Sequence, residues 1–357
     1  MTLRQPVLAA SLFLTMIATA GCGGSHVPRI NAGGATFVEP IMQEWSGEYD
    51  RTKNVQIDYV AKGSGYGIEQ MTRKTLDFGC SDAPMKKDQL DAARADGGDV
   101  VHVPLVIGTV AVIYNLPGIS EPLRLTGDVL ADIYRKDPSV ARWNAPRIKD
   151  LNPAIAASLP DKEIVVVARS ESSGTTNIFS EYLAKSSDVF RASPGASTKP
   201  KWPQGVLGQD QNDGVAGFVK ANAGAIGYVE VLFAKRNNLP TALLKNKAGQ
   251  FIAPGAEGGV AAAEEALKTK PTKEPYSLHE LTYSLTDMDG AKSYPISGMS
   301  YAVLYAKLPL KKGPAIVDFL KWATTEGQAA TGKLEYAPLP EELRKKVQER
   351  LSSIVFE

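Results

Sequence analysis

Short apolar runs alternate with helical patterns along this chain, and that alternation restricts the fold more than any other feature. Residues 55–60, 110–114, 164–169, 225–229 and 301–305 are β-branched or aromatic runs of strand length. Residues 37–49, 125–134, 175–184, 214–221, 315–324 and 340–352 carry apolar residues at helical spacing. Strands interleaved with helices predict an α/β architecture with helices covering a sheet. A chain of 357 residues exceeds one small core and suits about two domains. No internal repeat or low-complexity block interrupts the pattern. The glycine- and lysine-rich stretches 246–259 and 268–274 predict surface loops of one lobe.

The N-terminus reads as an address. Arg4 precedes the apolar stretch 7–20, which is too short to span a bilayer comfortably. It ends in Thr19-Ala20-Gly21-Cys22, small residues before a cysteine, as at a bacterial lipoprotein cleavage site. Residues 1–21 are therefore expected to be a signal peptide, Cys22 the lipidation site, and 22–28 a flexible tether. Thr19 stands where leucine is usual, and an ordinary signal peptide with Cys22 incidental is the alternative. With Cys22 acylated, Cys80 has no partner within the chain and is expected to be a small buried hydrophobe.

Charge narrows the ligand. Lysine and arginine number 40 against 39 acidic residues, which leaves no basic excess for nucleic acid or an anionic bilayer. An anion, if bound, must be held at one local site.

Three segments offer such a site. Gly33-Gly34-Ala35-Thr36-Phe37, Lys62-Gly63-Ser64-Gly65-Tyr66-Gly67 and Ser172-Ser173-Gly174-Thr175 each place a hydroxyl and glycine where a helix begins. A helix start presents unpaired N–H groups and partial positive charge, and glycine lets an anion approach the backbone. Taken singly, each is more simply a helix cap. Arg169, closing a valine-rich strand just before the third segment, could add paired hydrogen bonds to an oxyanion, or could be a surface arginine at a strand end.

Asp77-Phe78-Gly79-Cys80-Ser81-Asp82-Ala83-Pro84 is the odd member, because a carboxylate repels an anion. Asp82 fits only if the ligand carries a proton that it can accept. Phosphate near neutral pH carries one and sulfate does not. In isolation, a helix cap is the simpler role for Asp82.

GGATFVEPI, YVAKGSGYG, DFGCSDAP, RSESSGT and NDGVAGFVKANAGAIGYVE occur in that order, followed by Tyr294-Pro295-Ile296-Ser297 and the stretch from Leu334 to Pro340. Together they resemble the phosphate-binding proteins of bacterial Pst uptake systems (the PstS family) from about Asn31 to Arg350. The resemblance implies a type II periplasmic binding fold: two α/β lobes, a two-stranded hinge and a ligand cleft between them. It implies one lobe of 29–106 with 292–357, and a second of 107–291. It implies that Thr36, Ser64, Ser173 and Thr175 donate hydroxyls to phosphate, and Phe37 and Gly174 backbone N–H groups. Arg169 would pair with the anion and Asp82 would accept its proton. Glu171 departs from the family's aspartate two residues after the arginine, which puts affinity in question more than specificity. The implied partners are inorganic phosphate and the membrane subunits of an ABC transporter. A monomer at the extracytoplasmic face of the envelope, without cofactor or metal, is expected.

Two other classes compete. A metal phosphatase needs clustered ligands, whereas His26, His102 and His279 are widely spaced, and neither a Gly-x-Ser-x-Gly elbow nor a Gly-rich lysine phosphate loop occurs. An enzyme is therefore not expected. A carrier for another oxyanion, or a phosphate-sensing lipoprotein, keeps the same fold.

Overall fold

The computed structural model describes residues 28–269, 271, 275–277 and 280–357. The signal peptide, Cys22, His26, His279 and most of 270–274 lie outside them. An eight-stranded sheet forms the framework. Its strands are β1 (Arg29–Gly34), β2 (Gln56–Ala61), β3 (Phe78–Ser81), β4 (Val100–Tyr114), β5 (Val165–Arg169), β6 (Val206–Gln209), β7 (Ala225–Glu230) and β8 (Ser297–Tyr305). Their spatial order is β2-β1-β3-β8-β4-β7-β5-β6.

The sheet has two parallel ends joined by antiparallel centre strands. β1 runs parallel to β2 and β3, and β5 runs parallel to β6 and β7. β4 is buried along its whole length. Val100–Thr109 of β4 pair with β8, while Val110–Tyr114 pair with β7. One continuous strand therefore belongs to both halves. The β4–β8 register slips between Ser300 and Tyr301, opposite Pro104. Proline has no N–H for the ladder, so a bulge here costs little pairing and re-aims the residues beside it.

Helices cover the sheet: α1 (Glu39–Lys53), α2 (Ser64–Thr72), α3 (Lys87–Gly97), α4 (Gly127–Tyr134), α5 (Gly174–Ser186), α6 (Gln211–Ala221), α7 (Val231–Arg236), α8 (Ala256–Lys268), α9 (Gly313–Ala323) and α10 (Glu341–Ser352). α1 illustrates the local logic. Pro40 sits in its first turn, where a missing N–H is harmless, and Asn54 ends it in the left-handed region at φ 54°. Ile41, Met42, Trp45 and Tyr49 form its buried face. Burying each such side chain contributes about 1.5–3 kcal/mol. Trp45 also donates its indole N–H to the Gly327 carbonyl at 2.7 Å. In the other half, Phe179 of α5 stacks on Tyr228 of β7 with ring centroids 4.1 Å apart.

Every strand and helix expected above is present, most with ends shifted by a few residues, but the strand expected over 110–114 is only the last third of β4, which begins at Val100. The expectation of loop over 246–259 is corrected. Phe251–Ile252 is a short strand, and α8 begins at Ala256. Gly258 and Gly259 are inside that helix because it presses against its neighbours: a β-carbon on Gly258 would come 2.6 Å from that of Tyr294. Lys268 is the last helical residue instead of a loop residue. Cys80 is buried in β3 and unpaired, as expected. No helix among the described residues is long and apolar enough to cross a membrane.

Candidate functional site

The first two hydroxyl segments leave one end of the sheet through β1 and β2. Gly34 ends β1 at φ +133°, and a β-carbon there would meet the Cys80 carbonyl at 2.2 Å. Only glycine lets β1 turn so close to β3. Thr36 and Phe37 follow, both buried. The Tyr59 hydroxyl donates to the Ala35 carbonyl at 2.7 Å, and the Tyr336 hydroxyl donates to the Phe37 carbonyl at 2.6 Å. These bonds clamp the peptide before Thr36 and the peptide after Phe37. Ser64 is the first residue of α2, so this helix starts earlier than the sequence pattern alone indicated.

From the other half come the end of β5 and the start of α5. Arg169 is 3% exposed, which excludes a surface arginine. Its Nε and Nη2 bond one oxygen of Glu171, Nε at 2.9 Å. Glu171 thus supplies the counter-charge that a buried guanidinium requires. The opposite edge of the guanidinium carries Nη1, 3.4 Å from Thr175 Oγ1, and Nη2, 3.2 Å from Thr36 Oγ1. The paired hydrogen bonds of Arg169 are made here to Glu171, and its other edge reaches Thr175 in its own half and Thr36 in the opposite half. Ser173 caps α5, its hydroxyl accepting from the Thr176 N–H at 3.2 Å. That cap leaves the Ser173 hydroxyl proton to donate elsewhere.

The two halves meet at these residues. The Gly174 N–H donates to Ser64 Oγ at 3.0 Å, and the Gly65 N–H donates to the Ser172 carbonyl at 3.1 Å. A β-carbon on Gly174 would lie 2.4 Å from Ser64 Oγ and 2.6 Å from Asp82 Oδ2. Glycine at this helix start is therefore a requirement of the contact.

Asp82 is 4% exposed and lies in that contact. It caps no helix: α3 begins only at Lys87, with Lys86 at its cap. Ser300 donates to Asp82 Oδ1 at 2.8 Å, and Ser64 lies 3.4 Å from Oδ2. Burial pushes the Asp82 carboxyl up from 3.8 to about 7, against the opposing pull of the Ser300 hydrogen bond and of Arg169. The acid consequently changes charge near neutral pH.

Thr36, Ser64, Asp82, Arg169, Gly174 and Thr175 thus form one connected set, with Phe37 and Ser173 beside it. Three further residues join it that sequence reasoning gave no role. Asn212, in the first turn of α6, donates to Thr36 Oγ1 at 2.8 Å. The Tyr228 hydroxyl accepts from the Arg169 N–H at 3.2 Å. Ser300 holds Asp82 from β8. Asn212 sits in the NDGVAGF stretch that carries part of the family resemblance, and nothing in that stretch alone marks its amide for the site. A serine inside the apolar run of β8 was the available sign for Ser300. A groove of about 400 Å³ opens beside the set, lined by Gly65, Ala83, Lys86, Ser172, Asn177 and Thr198 among others. It includes neither Thr36, Asp82 nor Arg169, which are sealed behind it.

A family model described as a PBP superfamily domain matches residues 20–326. The chain is 38% identical over 348 residues to the phosphate-binding protein PstS of Pasteurella multocida, covering 97% of this chain and 94% of that protein. It is 35% identical over 366 residues to the protein of the same name from Methanocaldococcus jannaschii, covering 95% and 92%. Among solved structures, it is similar to a high-affinity periplasmic phosphate-binding protein (PfluDING) bound with phosphate, with a TM-score of 0.69 at 21% identity and coverage of 90% and 93%. A putative phosphate ABC transporter substrate-binding protein from Clostridium perfringens matches with a TM-score of 0.60 at 19% identity, covering 87% and 100%. The structural likenesses establish the two-lobe binding-protein fold.

Proposed function

The chain belongs to the PstS family of phosphate-binding proteins within the PBP superfamily, and on that premise we propose that it captures inorganic phosphate between its two halves and delivers it to an ABC transporter. The observation that carries this reading is a buried, titrating carboxyl, Asp82, inside an otherwise donor-lined contact. Thr36, Phe37, Ser64, Arg169, Ser173, Gly174 and Thr175 supply donors to three phosphate oxygens, aided by the start of α5. Asp82 shares a single proton with the fourth oxygen. One lobe comprises 29–106 with 292–357 and the other 107–291, with β4 and the segment entering β8 as the hinge. Phosphate bridging the halves favours the arrangement in which they touch.

Calorimetric titration of residues 22–357 with phosphate, sulfate and arsenate tests the reading. Phosphate and arsenate, which both carry a proton at neutral pH, should bind, and sulfate should fail to displace them. Absence of phosphate binding would overturn the proposal.

The titration of Asp82 makes the discrimination depend on pH. At about pH 8 the carboxylate is ionised and can only accept, so sulfate meets repulsion and an unmatched oxygen. At about pH 5 the acid is protonated and can donate to sulfate. Sulfate should therefore compete with phosphate at the lower pH and much less at the higher. Equal competition at both would remove the proton-acceptor role from Asp82.

The site supports binding in place of turnover: the carboxyl and hydroxyls are mutually hydrogen-bonded, and His102 lies in the core with burial lowering it to about 4. Incubation with a phosphate monoester should release nothing. Lipid at Cys22 would tether the monomeric carrier to the extracytoplasmic face of the membrane; Cys22→Ser should release it into the soluble fraction.

A further inference from the structure

Hydroxyl groups are ambiguous in an anion site, since each has one proton and can accept as readily as donate. Thr36 illustrates how the fold resolves that ambiguity. Its Oγ1 receives a hydrogen bond from Asn212 Nδ2 at 2.8 Å and another from Arg169 Nη2 at 3.2 Å. Neither neighbouring nitrogen can accept a proton. The orientation of the Asn212 amide is itself determined: its Oδ1 accepts the main-chain N–H of Glu230 at 3.1 Å, and an N–H can only donate. The nitrogen of the amide must then face Thr36. Asn212 is fully buried, so no solvent competes for either end.

From this chain of contacts we infer that Asn212 is a positioning residue which, anchored by Glu230, turns the Thr36 hydroxyl into an obligate donor toward the bound oxyanion. The inference rests on the reading of the site as a phosphate site. Its consequence is directional. A Thr36 hydroxyl free to rotate would spend part of its time with its lone pairs toward the anion, a repulsive arrangement. Held as it is where the halves touch, the hydroxyl presents its proton to the anion and keeps its lone pairs turned away. Asn212 belongs to α6 in one half and Thr36 to the opposite half, so the bond also forms only where the halves meet.

A double-mutant cycle separates orientation from general damage. Thr36→Val keeps the shape of the side chain but has no hydroxyl to orient. Phosphate affinity is measured by calorimetry for the wild type, T36V, N212A and the double variant, with thermal midpoints recorded for each. Each single change should weaken binding by about tenfold, and the double change by little more than either. If the losses multiply to about a hundredfold, Asn212 acts independently of the Thr36 hydroxyl and the inference is wrong. N212L, which fills the volume without a donor, takes the place of N212A if the alanine variant does not fold. Should the wild type bind no phosphate, the functional reading falls and this inference falls with it; a multiplying cycle on a binding wild type overturns the inference alone.

Discussion

Asp82 couples ligand chemistry to stability. Its ordinary value is 3.8 and burial raises it to about 7 in the folded chain, so between those values the native state binds more protons than the unfolded state. The contribution of Asp82 is fully favourable below 3.8, is lost as pH climbs through the window, and is level above about 7. Asp82→Asn removes the titration. It should leave stability unchanged near about pH 4 and raise it near about pH 8, by no more than a few kcal/mol. Urea unfolding of both proteins at both pH values checks the sign; an asparagine variant that gains nothing at the higher pH would refute it. Glu171→Ala should cost about 1–3 kcal/mol, because the buried Arg169 loses the partner of its Nε–Nη2 edge. The residue types at these positions were readable in sequence, since hydroxyl, glycine and arginine at helix starts announce anion chemistry. Asn212 and Ser300 were not, because their partners are 176 and 218 residues away and neither adjoins a glycine-rich turn.

At the scale of elements, α5 shows how a helix start can be both scaffold and contact. Ser173 satisfies its first turn, while Gly174 meets Ser64 and Asp82 across the cleft. Gly174→Ala adds a methyl that α5 tolerates by itself but that the opposite half cannot accommodate. The variant should keep its thermal midpoint within about 2 °C without ligand, yet bind phosphate at least about tenfold more weakly. A parallel fall in both would mean that the glycine serves the helix alone. Elements with clean periodicity, such as α1 and α9, were legible from sequence, whereas β4 was legible only over Val110–Tyr114. α8 was not, because its glycines permit close packing on Tyr294 and Ile107 and so mimic loop composition. The bulge beside Ser300 was equally hidden, for it depends on which strand lies opposite Pro104.

At the scale of the molecule, the halves meet at the site through Gly174 N–H to the Ser64 hydroxyl and Gly65 N–H to the Ser172 carbonyl. Added phosphate should slow hydrogen exchange at Gly65 and Gly174. The amides of β4, buried and laddered to β8 over Val100–Thr109 and to β7 over Val110–Tyr114, should be equally protected with and without it. Loss of contrast between the two regions would argue against closure. The sharing of β4 by both halves also has a mechanical meaning. In the proposed opening, the part of the motion carried by β4 is taken up as torsion spread along a buried strand, as in a spring clip whose two jaws are one piece of metal. The grip on the anion is then set partly by the stiffness of a strand that does not touch it, and substitutions along that strand can retune affinity while every binding group stays in place.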